Sequence, residues 1–472
     1  MSGFDFLVGI LYLVSAAAFV VGLHLMRAPS TARMGNGISA GGMLIAVTTA
    51  VVYSLSHSSA QWIAWVALLA GVLVGGAYGV IRARTVKMTD IPQLVSVLNA
   101  VGGGAAAAIA FAFFVLAAGG KLELSVSIPI VLDVLIGSIT FSGSLIAAGK
   151  LQGTIPSQPI IFRGARILNV VVALAAVGAG VLVIAVAQNI VLLIVVLVAG
   201  LVLGVLMVLP IGGADAPVIV SLLNAFTGLA VAMAGFAIDN QALIIAGALV
   251  GASGTILTLQ MAKAMNRSVI SIIAGGFGTG DSNAQLTPTD ADLGPIRSLS
   301  ADDVAIQLAY AQHVLIVPGY GLAAAQAQHE VADLASLLIA HGVDVQYAIH
   351  PVAGRMPGHM NVLLAEANVP YERMLQLDEA NVAFENCDVA LVIGANDVCN
   401  PDARQPGNPV SGMPILNADH AKSVVVIKRT MRPGYAGISN PLFTDAKTGM
   451  FFADAKKGLS DIAAAVKEYV SA

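Results

Sequence analysis

A glycine-rich turn of the form G-x-G-x-x-A lies between an apolar run and a helical stretch in the last third of the chain. It consists of Gly319, Tyr320, Gly321, Leu322, Ala323 and Ala324. Gly319 allows a tight turn, Gly321 lets the backbone approach a pyrophosphate, and Ala324 permits close packing of helix on strand. The helix N-terminus adds N–H donors and a positive dipole. A strand before the motif and a helix after it favour a dinucleotide site.

The residues that would contact the ribose indicate which dinucleotide is bound. An NAD site usually carries an acidic residue where the second strand ends, but that stretch, AIHPVAGRMPGHMN, offers His350 and Arg355 and no carboxylate. A later strand ends in Lys428, Arg429 and Thr430. Two cations and a hydroxyl suit a 2′-phosphate, and an ordinary basic strand end is the alternative. The pattern favours NADP.

Two further loops carry candidate residues. Gly394, Ala395, Asn396 and Asp397 follow an apolar strand, at the sheet edge where ligands bind in such folds. Asp397 is either a plain loop acid or a group near the nicotinamide that senses its redox charge. Gly434 and Tyr435, in RPGYAGISNP, are predicted to form a mobile lid over the ligand.

The elements that position these residues follow from the pattern of residues 296–472. Apolar runs at HVLIVPG, DVQYAIHP, DVALVIGAND, KSVVVIKRT and MFFAD read as strands, and helical stretches lie between them, notably 322–341, ended by Gly342. Apolar strands that alternate with helices predict a doubly wound parallel sheet, a Rossmann-like α/β domain. Before it, the stretch from Gly275 to Pro295 is rich in Gly, Thr and Asp, and residues 266–295 are predicted to be a linker.

The first 265 residues have a different composition. The whole chain is 57% hydrophobic and 11% charged, with a mean hydropathy of +0.85, and only 16 of its 50 charged side chains lie at or before Lys263. Such a sequence is too apolar for a water-soluble protein. Apolar stretches long enough to span a bilayer predict nine transmembrane helices at about 4–26, 37–56, 61–81, 92–118, 126–149, 167–187, 190–210, 217–238 and 241–264.

The basic residues of the connecting loops predict the orientation in the membrane. Odd-numbered loops carry ten lysines and arginines, whereas the even-numbered loops hold only Lys121. By the positive-inside rule the N-terminus lies outside and the α/β domain lies in the cytoplasm. The net charge of −4 gives no indication of nucleic-acid binding. Cys387 and Cys399 suggest neither a disulfide framework nor a metal site.

Polar residues recur within the predicted spans. Two stretches of the chain resemble each other: PQLVSVLNAVGGGAAAAIAF from Pro92 and PVIVSLLNAFTGLAVAMAGF from Pro217. Their alignment pairs Asn99 with Asn224. An asparagine in lipid needs a polar partner or water, so this pair either joins helices or lines a hydrated path.

Acidic residues add to this group. Asp133 lies inside the fifth span, where a carboxylate is either a proton- or ion-handling group or an interfacial acid on a tilted helix. Ser142 and Ser144 add hydroxyls to the same helix, and Asp215 begins the eighth span.

Taken together, the chain resembles the beta subunits of proton-translocating NAD(P) transhydrogenases over almost its whole length. The resemblance rests on the nine spans followed by MNRSVISIIAGGFG, VPGYGLAAAQAQ, GRMPGHMNVLLAEA, GANDVCNP and KRTMRPGYAG. It implies hydride transfer between NADH and NADP(H), coupled to proton movement across a bacterial inner membrane. It also implies that NAD(H) is bound by a separate alpha subunit, and that alpha–beta units form a dimer.

The resemblance carries over to individual residues. The glycine motif would be the pyrophosphate loop, Asn396 and Asp397 the loop beside the nicotinamide, and Tyr435 the lid; these last three residues would form the catalytic centre. Lys428, Arg429 and Thr430 would bind the 2′-phosphate, where the family more often has Ser than Thr. The other expected cofactor contacts are Gly354, Arg355, Met356, Pro357, Gly358, Gly394, Ala395, Val398, Gly434 and Asp454.

The resemblance also implies a proton pathway along Asn99, Asp133, Ser144, Asp215 and Asn224. Many family members have His where this chain has Asn99, and an amide cannot titrate. The titrating group would therefore come from an alpha-subunit helix, which we favour, or from Asp133. A rival interpretation, from the residues alone, is a membrane channel or transporter gated by an NADP-sensing domain.

Overall fold

The structure is a computed structural model. It describes residues 3–26, 29–57, 62–117, 122–156, 159–185, 189–212, 215–265, 268–275, 295–355, 358–408, 410–434 and 436–470. Three predicted site residues, Met356, Pro357 and Tyr435, lie outside the described residues, as does most of the predicted linker (276–294). The chain divides into two compact units, Met1–Pro210 with Ile219–Leu257 and Ile211–Val218 with Thr258–Ala472.

Among the described residues, nine helices are long and apolar enough to cross a bilayer, which confirms the predicted spans of a multi-pass membrane protein. In chain order they are α1 (Gly3–Leu25), α2 (Pro29–His57), α3 (Trp62–Thr85), α4 (Ile91–Leu116), α5 (Leu124–Gln152), α6 (Ala165–Ala185), α7 (Ile190–Val208), α8 (Ala216–Ala237) and α9 (Gln241–Ala264).

Small residues set the helix packing of the membrane half. A Cβ added to Gly137 of α5 would lie 2.9 Å from the Ala107 Cβ of α4, and one added to Gly103 would lie 2.7 Å from the Thr140 Cβ. Ser142 on the far side of α5 donates to the Leu201 carbonyl of α7, at 2.7 Å. Lipid provides no hydrophobic force between helices, so close backbone approach and such hydrogen bonds hold α5 between its neighbours.

The C-terminal half contains a six-stranded, all-parallel sheet in the order β3-β2-β1-β4-β5-β6. The strands are β1 (His313–Pro318), β2 (Asp344–Ala348), β3 (Met374–Leu375), β4 (Val389–Ile393), β5 (Ser423–Lys428) and β6 (Thr448–Phe452). β1 and β4 are almost wholly buried, which is why they read as continuous apolar runs and not as alternating ones. This confirms the predicted doubly wound fold, although the two-residue β3 was missed.

Helices alternate with these strands along the chain. Among the described residues of this half, the helices are α10 (Val269–Gly275), α11 (Ala301–Ala309), α12 (Tyr320–Ala324), α13 (Gln328–Ala340), α14 (His359–Glu366), α15 (Leu377–Phe384) and α16 (Ala455–Val470). Phe384 of α15 shares a buried core with Leu315, Val392 and Val426. α16 contacts both α11 and α13. α10 lies within residues 266–295, so part of the predicted linker is helical.

The single helix predicted at 322–341 is wrong, because the structure breaks it into α12 and α13. Gln326 adopts a left-handed conformation, φ 53°. The Ala327 N–H donates to the Leu322 carbonyl at 3.1 Å, and the Gln326 N–H donates to that of Ala323 at 3.0 Å. These two bonds form a Schellman ending, which terminates α12.

One carboxylate ties together the N-terminal ends of three central strands. Asp388 accepts hydrogen bonds from the backbone N–H groups of Gln312, at 2.9 Å, and His313, at 3.0 Å, and from the Lys422 ammonium at 2.8 Å. The Lys422 bond, followed by the backbone donor of His313, lowers the pKa of Asp388 to about 2. The carboxylate form therefore stabilises the sheet above the pKa of an unfolded Asp, and this stabilisation is lost as the pH falls toward 2.

We expect Asp388→Asn to lower the unfolding free energy of the α/β domain by about 1–3 kcal/mol, because hydrogen bonds to a charged acceptor weaken. Resistance to proteolysis in a urea series, measured on the full chain, would report the change. Asp333→Asn, at an exposed position on α13, should have little effect. Equal stability of the Asp388 variant and the wild type would contradict the assignment.

Candidate functional site

The predicted site lies where the strand order reverses. β1 pairs with β2 on one side and with β4 on the other, so the chains that leave β1 and β4 diverge at the carboxyl edge of the sheet. Gly319 follows β1 and Gly394 follows β4. In open parallel sheets, this switch point forms the crevice that holds a ligand. The sheet therefore brings together two of the loops predicted from the sequence.

The two loops meet backbone to backbone. The Gly319 N–H donates to the Ile393 carbonyl and the Gly321 N–H to the Gly394 carbonyl, each at 2.9 Å. A Cβ on Gly321 would lie 2.6 Å from the Gly394 Cα, and Gly394 itself has φ +63°. Such a distance is too short for any side chain. Contact with the β4 loop thus requires glycine at 321, a reason that the sequence motif did not reveal.

The helix after the glycine loop differs from the expectation. α12 has only five residues, so its dipole is small. Leu322 and Ala323 are fully buried, whereas Ala324 is exposed. The prediction that Ala324 provides the close helix–strand contact is therefore wrong. The Schellman ending turns the chain at Gln326, and this leaves Ala323 as the small residue that faces the interior.

A cation lies beside the glycine loop. The Arg355 guanidinium carbon is 4.4 Å from the centre of the Tyr320 ring, a cation–π contact. Arg355 follows Gly354, which has φ +100°, and Gly358, at φ +66°, precedes α14. The segment predicted to form a second wall of the site thus lies against the glycine loop and adds positive charge to it.

The loop after β4 is bonded to the segment predicted to be a lid. Asp397 accepts the Ala436 N–H at 3.0 Å, and a Cβ on Gly434 would lie 2.5 Å from the Asp397 carboxylate. The hydrogen-bond network orients the Asn396 amide so that its oxygen accepts from the Gly434 N–H at 2.7 Å and from Lys428 at 3.1 Å. Asn396 and Asp397 therefore form hydrogen bonds with the residues on either side of position 435, Gly434 and Ala436.

The basic residues at the end of β5 lie in two different environments. The Lys428 ammonium donates to the Arg432 carbonyl at 2.7 Å and lies 4.7 Å from the centre of the Phe443 ring. Burial lowers the pKa of Lys428. Arg429 and Thr430 are exposed at the sheet edge. In this structure Lys428 braces the segment after β5, while the next two side chains face solvent.

Two buried asparagines that we did not predict join the same loops. Asn400 donates to the Ser439 carbonyl at 3.0 Å and accepts from the Asp402 N–H at 3.0 Å. Asn440 donates to the Asn396 carbonyl at 3.1 Å and accepts from the Leu442 N–H at 3.0 Å. Each precedes a proline, and Asn-Pro pairs mark turns. That signal was present in the sequence, but the cross-loop bonds were not predictable from it.

Two buried histidines lie at the ends of the loop after β2. His350 Nε2 is 2.6 Å from the Pro414 carbonyl, and its Nδ1 accepts the Val352 N–H at 3.3 Å. His359 is fully buried and its Nδ1 accepts the Arg355 N–H at 3.0 Å. Burial, joined at His359 by the charge of Arg355, lowers the pKa of each imidazole to about 4. Both rings are therefore neutral at pH 7.

Two other predicted contacts have local roles. Asp454 accepts the Lys456 N–H at 3.1 Å and thus caps the start of α16. Val398 packs against the buried core beneath the sheet edge, and its carbonyl accepts the Leu416 N–H at 2.9 Å. Neither arrangement by itself indicates contact with a ligand.

The polar residues of the membrane helices lie at helix contacts. Asn99 donates to the Val220 carbonyl of α8 at 3.2 Å, while Thr227 of α8 donates to the Asn99 carbonyl at 3.2 Å. Asn99 therefore joins α4 to α8. Asn224 is half-buried on α8, and Asp215 directly precedes that helix. The two similar stretches thus place Asn99 and Asn224 on neighbouring helices.

Asp133 and Ser144 are fully buried. No residue in the described part of the chain forms a hydrogen bond with either Asp133 oxygen or with the Ser144 hydroxyl, and the same holds for Ser96 of α4. Asp133, Gly137, Thr140 and Ser144 share one face of α5. Because Gly137 and Thr140 contact α4, the unsatisfied polar groups follow the α4–α5 seam.

The similarity to known proteins covers almost the whole chain. The family described as NAD(P) transhydrogenase beta subunit matches residues 8–465. Two relatives named NAD(P) transhydrogenase subunit beta, from Rhodospirillum rubrum and from its strain ATCC 11170, are each 44% identical over 462 residues. Each alignment covers 96% of this chain and 98% of the relative.

We expect the α/β domain to lose stability as the pH falls from about 6.5 to 4. The depressed pKa values of His350 and His359 mean that both stabilise the fold fully above the unfolded value near 6.5 and oppose it once they are protonated. Thermal unfolding of the full chain from pH 7 to pH 4 would show this fall.

The matched variant is His350→Gln, whose amide can still donate to Pro414 but does not titrate. It should weaken the pH dependence. Asp388, with its pKa near 2, is outside this window. A melting temperature that stays constant or rises on acidification would contradict the prediction.

Proposed function

The chain belongs to the family of NAD(P) transhydrogenase beta subunits, and from that membership we propose which of its parts carry the reaction. It is the membrane-spanning subunit of an enzyme that couples hydride transfer between NADH and NADP⁺ to proton movement across the membrane. The family match to residues 8–465, which covers both the nine spans and the parallel sheet, carries this conclusion.

We assign residues 1–265 to the proton-conducting domain, 266–295 to the linker, and 296–472 to the NADP(H)-binding domain. In this proposal NAD(H) is held by the alpha subunit, and alpha–beta units pair as a dimer. The enzyme lies in a bacterial inner membrane with the N-terminus outside and the NADP(H) domain in the cytoplasm, as the basic loops suggest.

The site fits a dinucleotide at the switch point. The N–H groups of Gly319 and Gly321 already donate to the β4 loop. We therefore assign part of the attraction for the pyrophosphate to Arg355, whose guanidinium lies beside Tyr320. The 2′-phosphate is assigned to the exposed pair Arg429 and Thr430, with Lys428 behind them. A positive strand end, without an acid after β2, supports NADP(H) over NAD(H).

The reaction needs no side-chain nucleophile. When bound, NADP(H) supplies the nicotinamide that gives or receives the hydride. The protein positions this ring and excludes water. Asn396 and Asp397 are proposed to flank the ring, and Tyr435 is proposed to close over it. Asp397 accepts the Ala436 N–H, next to the proposed lid residue. A change of charge on the nicotinamide ring would therefore act on the Asp397 carboxylate and, through this hydrogen bond, on the lid.

Coupling requires two global states that both the proton site and the nucleotide site can bias. We propose an open state that exchanges NADP(H) and an occluded state that transfers hydride. In the membrane half, the unsatisfied groups of the α4–α5 seam, Asp133 and Ser144, support a proton route. Asn99, Asn224 and Asp215 complete the proposed route, and an alpha-subunit helix would supply any further titrating group.

We expect the chain, co-expressed with its alpha partner in vesicles, to reduce NADP⁺ with NADH at a rate that responds to a proton gradient. Arg429→Gln should raise the KM for NADP⁺ about tenfold or more, since a charge-assisted bond is worth roughly 1.5–3 kcal/mol, and should leave the KM for NADH unchanged. Lys457→Gln, at an exposed position on α16, is the control. Absence of hydride transfer would reject the function, and an unchanged KM would reject the phosphate site.

Because Asp133 is buried and no described residue bonds its oxygens, we now favour it over an alpha-subunit helix as the titrating group. We therefore expect Asp133→Asn to lower proton-coupled turnover by about 100-fold, the lower range for loss of a proton-transfer group. The substitution keeps the size of the side chain but removes its titration. Asp239→Asn, in the exposed turn after α8, should be neutral. Unchanged gradient-driven turnover would remove Asp133 from the pathway and assign the titrating group to the alpha subunit.

A further inference from the structure

The ring of His359 makes two contacts with the loop that carries Arg355. Its Nδ1 accepts the Arg355 N–H at 3.0 Å. A Cβ added to Gly354 would lie 2.5 Å from the same nitrogen and 2.7 Å from the His359 Cβ. Gly354 has φ +100°, a conformation that other residues rarely adopt. The glycine therefore lets the backbone lie directly on the imidazole.

The hydrogen bond fixes the state of the ring. Because Nδ1 accepts a backbone N–H, the proton of the neutral imidazole must be on Nε2. Nε2 is buried, and no described residue accepts its proton. An unsatisfied buried donor destabilises the fold. An apolar side chain would fill the same space without that cost, so packing alone does not account for a histidine here.

The ring is connected to the nucleotide site through Arg355. The backbone of Arg355 is held by His359, while its guanidinium lies 4.4 Å from the Tyr320 ring centre, beside the glycine loop. Loss of the Nδ1 acceptor would free the Arg355 N–H and the turn that begins at Gly354. The guanidinium would then sample other positions, and the bound dinucleotide would have to order it.

We propose that His359 is a positioning residue for NADP(H): it fixes the Gly354–Arg355 backbone so that the Arg355 guanidinium stays beside Tyr320 at the pyrophosphate loop. This inference rests on the proposed NADP(H) site. His359 does not touch the reacting atoms, so it should govern affinity for NADP(H) and leave the hydride-transfer step unchanged.

The test compares His359→Leu with His359→Asn in the full chain assembled with its alpha partner. Leu fills space without an acceptor, whereas the Asn side-chain oxygen can take the place of Nδ1 as the acceptor for the Arg355 N–H. NADPH affinity is measured by fluorescence titration, and KM and kcat by steady-state assay. His341→Leu, at an exposed position after α13, is the matched control.

We expect His359→Leu to raise the Kd of NADPH and the KM for NADP⁺ about tenfold, the factor that corresponds to ~1.4 kcal/mol. The kcat at saturating NADP⁺ and the KM for NADH should stay within about twofold of wild type, a change of under ~0.5 kcal/mol. His359→Asn should recover most of the affinity, and His341→Leu should behave as wild type.

Several results would overturn the proposal: unchanged NADPH affinity in His359→Leu, equal losses in the Leu and Asn variants, or a fall in kcat with KM unchanged. Wild-type protein that binds no NADPH would instead reject the proposed site itself. If His359→Leu does not fold, Gly354→Ala tests the same contact from the backbone side. It should reproduce the rise in Kd, and wild-type affinity in that variant would overturn the proposal.

Discussion

The close approach of two backbones at the β1–β4 switch point is the constraint on which the rest of the C-terminal half depends. Gly321 and Gly394 leave no room for a side chain between them. Their contact joins the strand pair at which the sheet order reverses. In this contact the N–H groups of Gly319 and Gly321 donate to carbonyls of β4 and the loop after it. In the proposed NADP(H) site, an anion at this point would therefore depend on nearby cations, namely Arg355 and the basic residues at the end of β5.

The loop after β4 extends this contact toward the segment after β5. Asp397 and Asn396 bond the flanks of position 435, and the paired Asn-Pro turns at Asn400 and Asn440 cross-link the same two loops. Such buried amides have strong hydrogen-bond demands, because an unmet donor in the interior is costly. These bonds tie the two loops to each other, a linkage that the proposed switch between two states would need.

Much of this architecture could be predicted from the sequence because it depends on local patterns. Nine apolar stretches correspond to nine long helices among the described residues, and apolar runs such as HVLIVP form buried parallel strands. The two-residue β3 has too few residues for any periodicity. The break at Gln326 depends on a left-handed residue that is neither Gly nor Asn. Asn440 acts through Asn396, a partner that only tertiary structure brings near. His359 bonds the nearby Arg355, but it does so across a turn at Gly354, whose left-handed conformation no periodicity predicts.

The membrane half poses the converse problem, because its polar residues were easy to find and their partners were not. Asn99 joins α4 to α8, because its side-chain amide donates to the Val220 carbonyl and its backbone carbonyl accepts from Thr227. Asp133 has the opposite character, since it is buried among helices and no described residue bonds its oxygens. A carboxylate in that position is favoured only if it is protonated or reaches water. Burial in the low-dielectric α4–α5 seam makes the charged form of Asp133 unfavourable. A change in the protonation of Asp133 would therefore change the packing of α4 against α5.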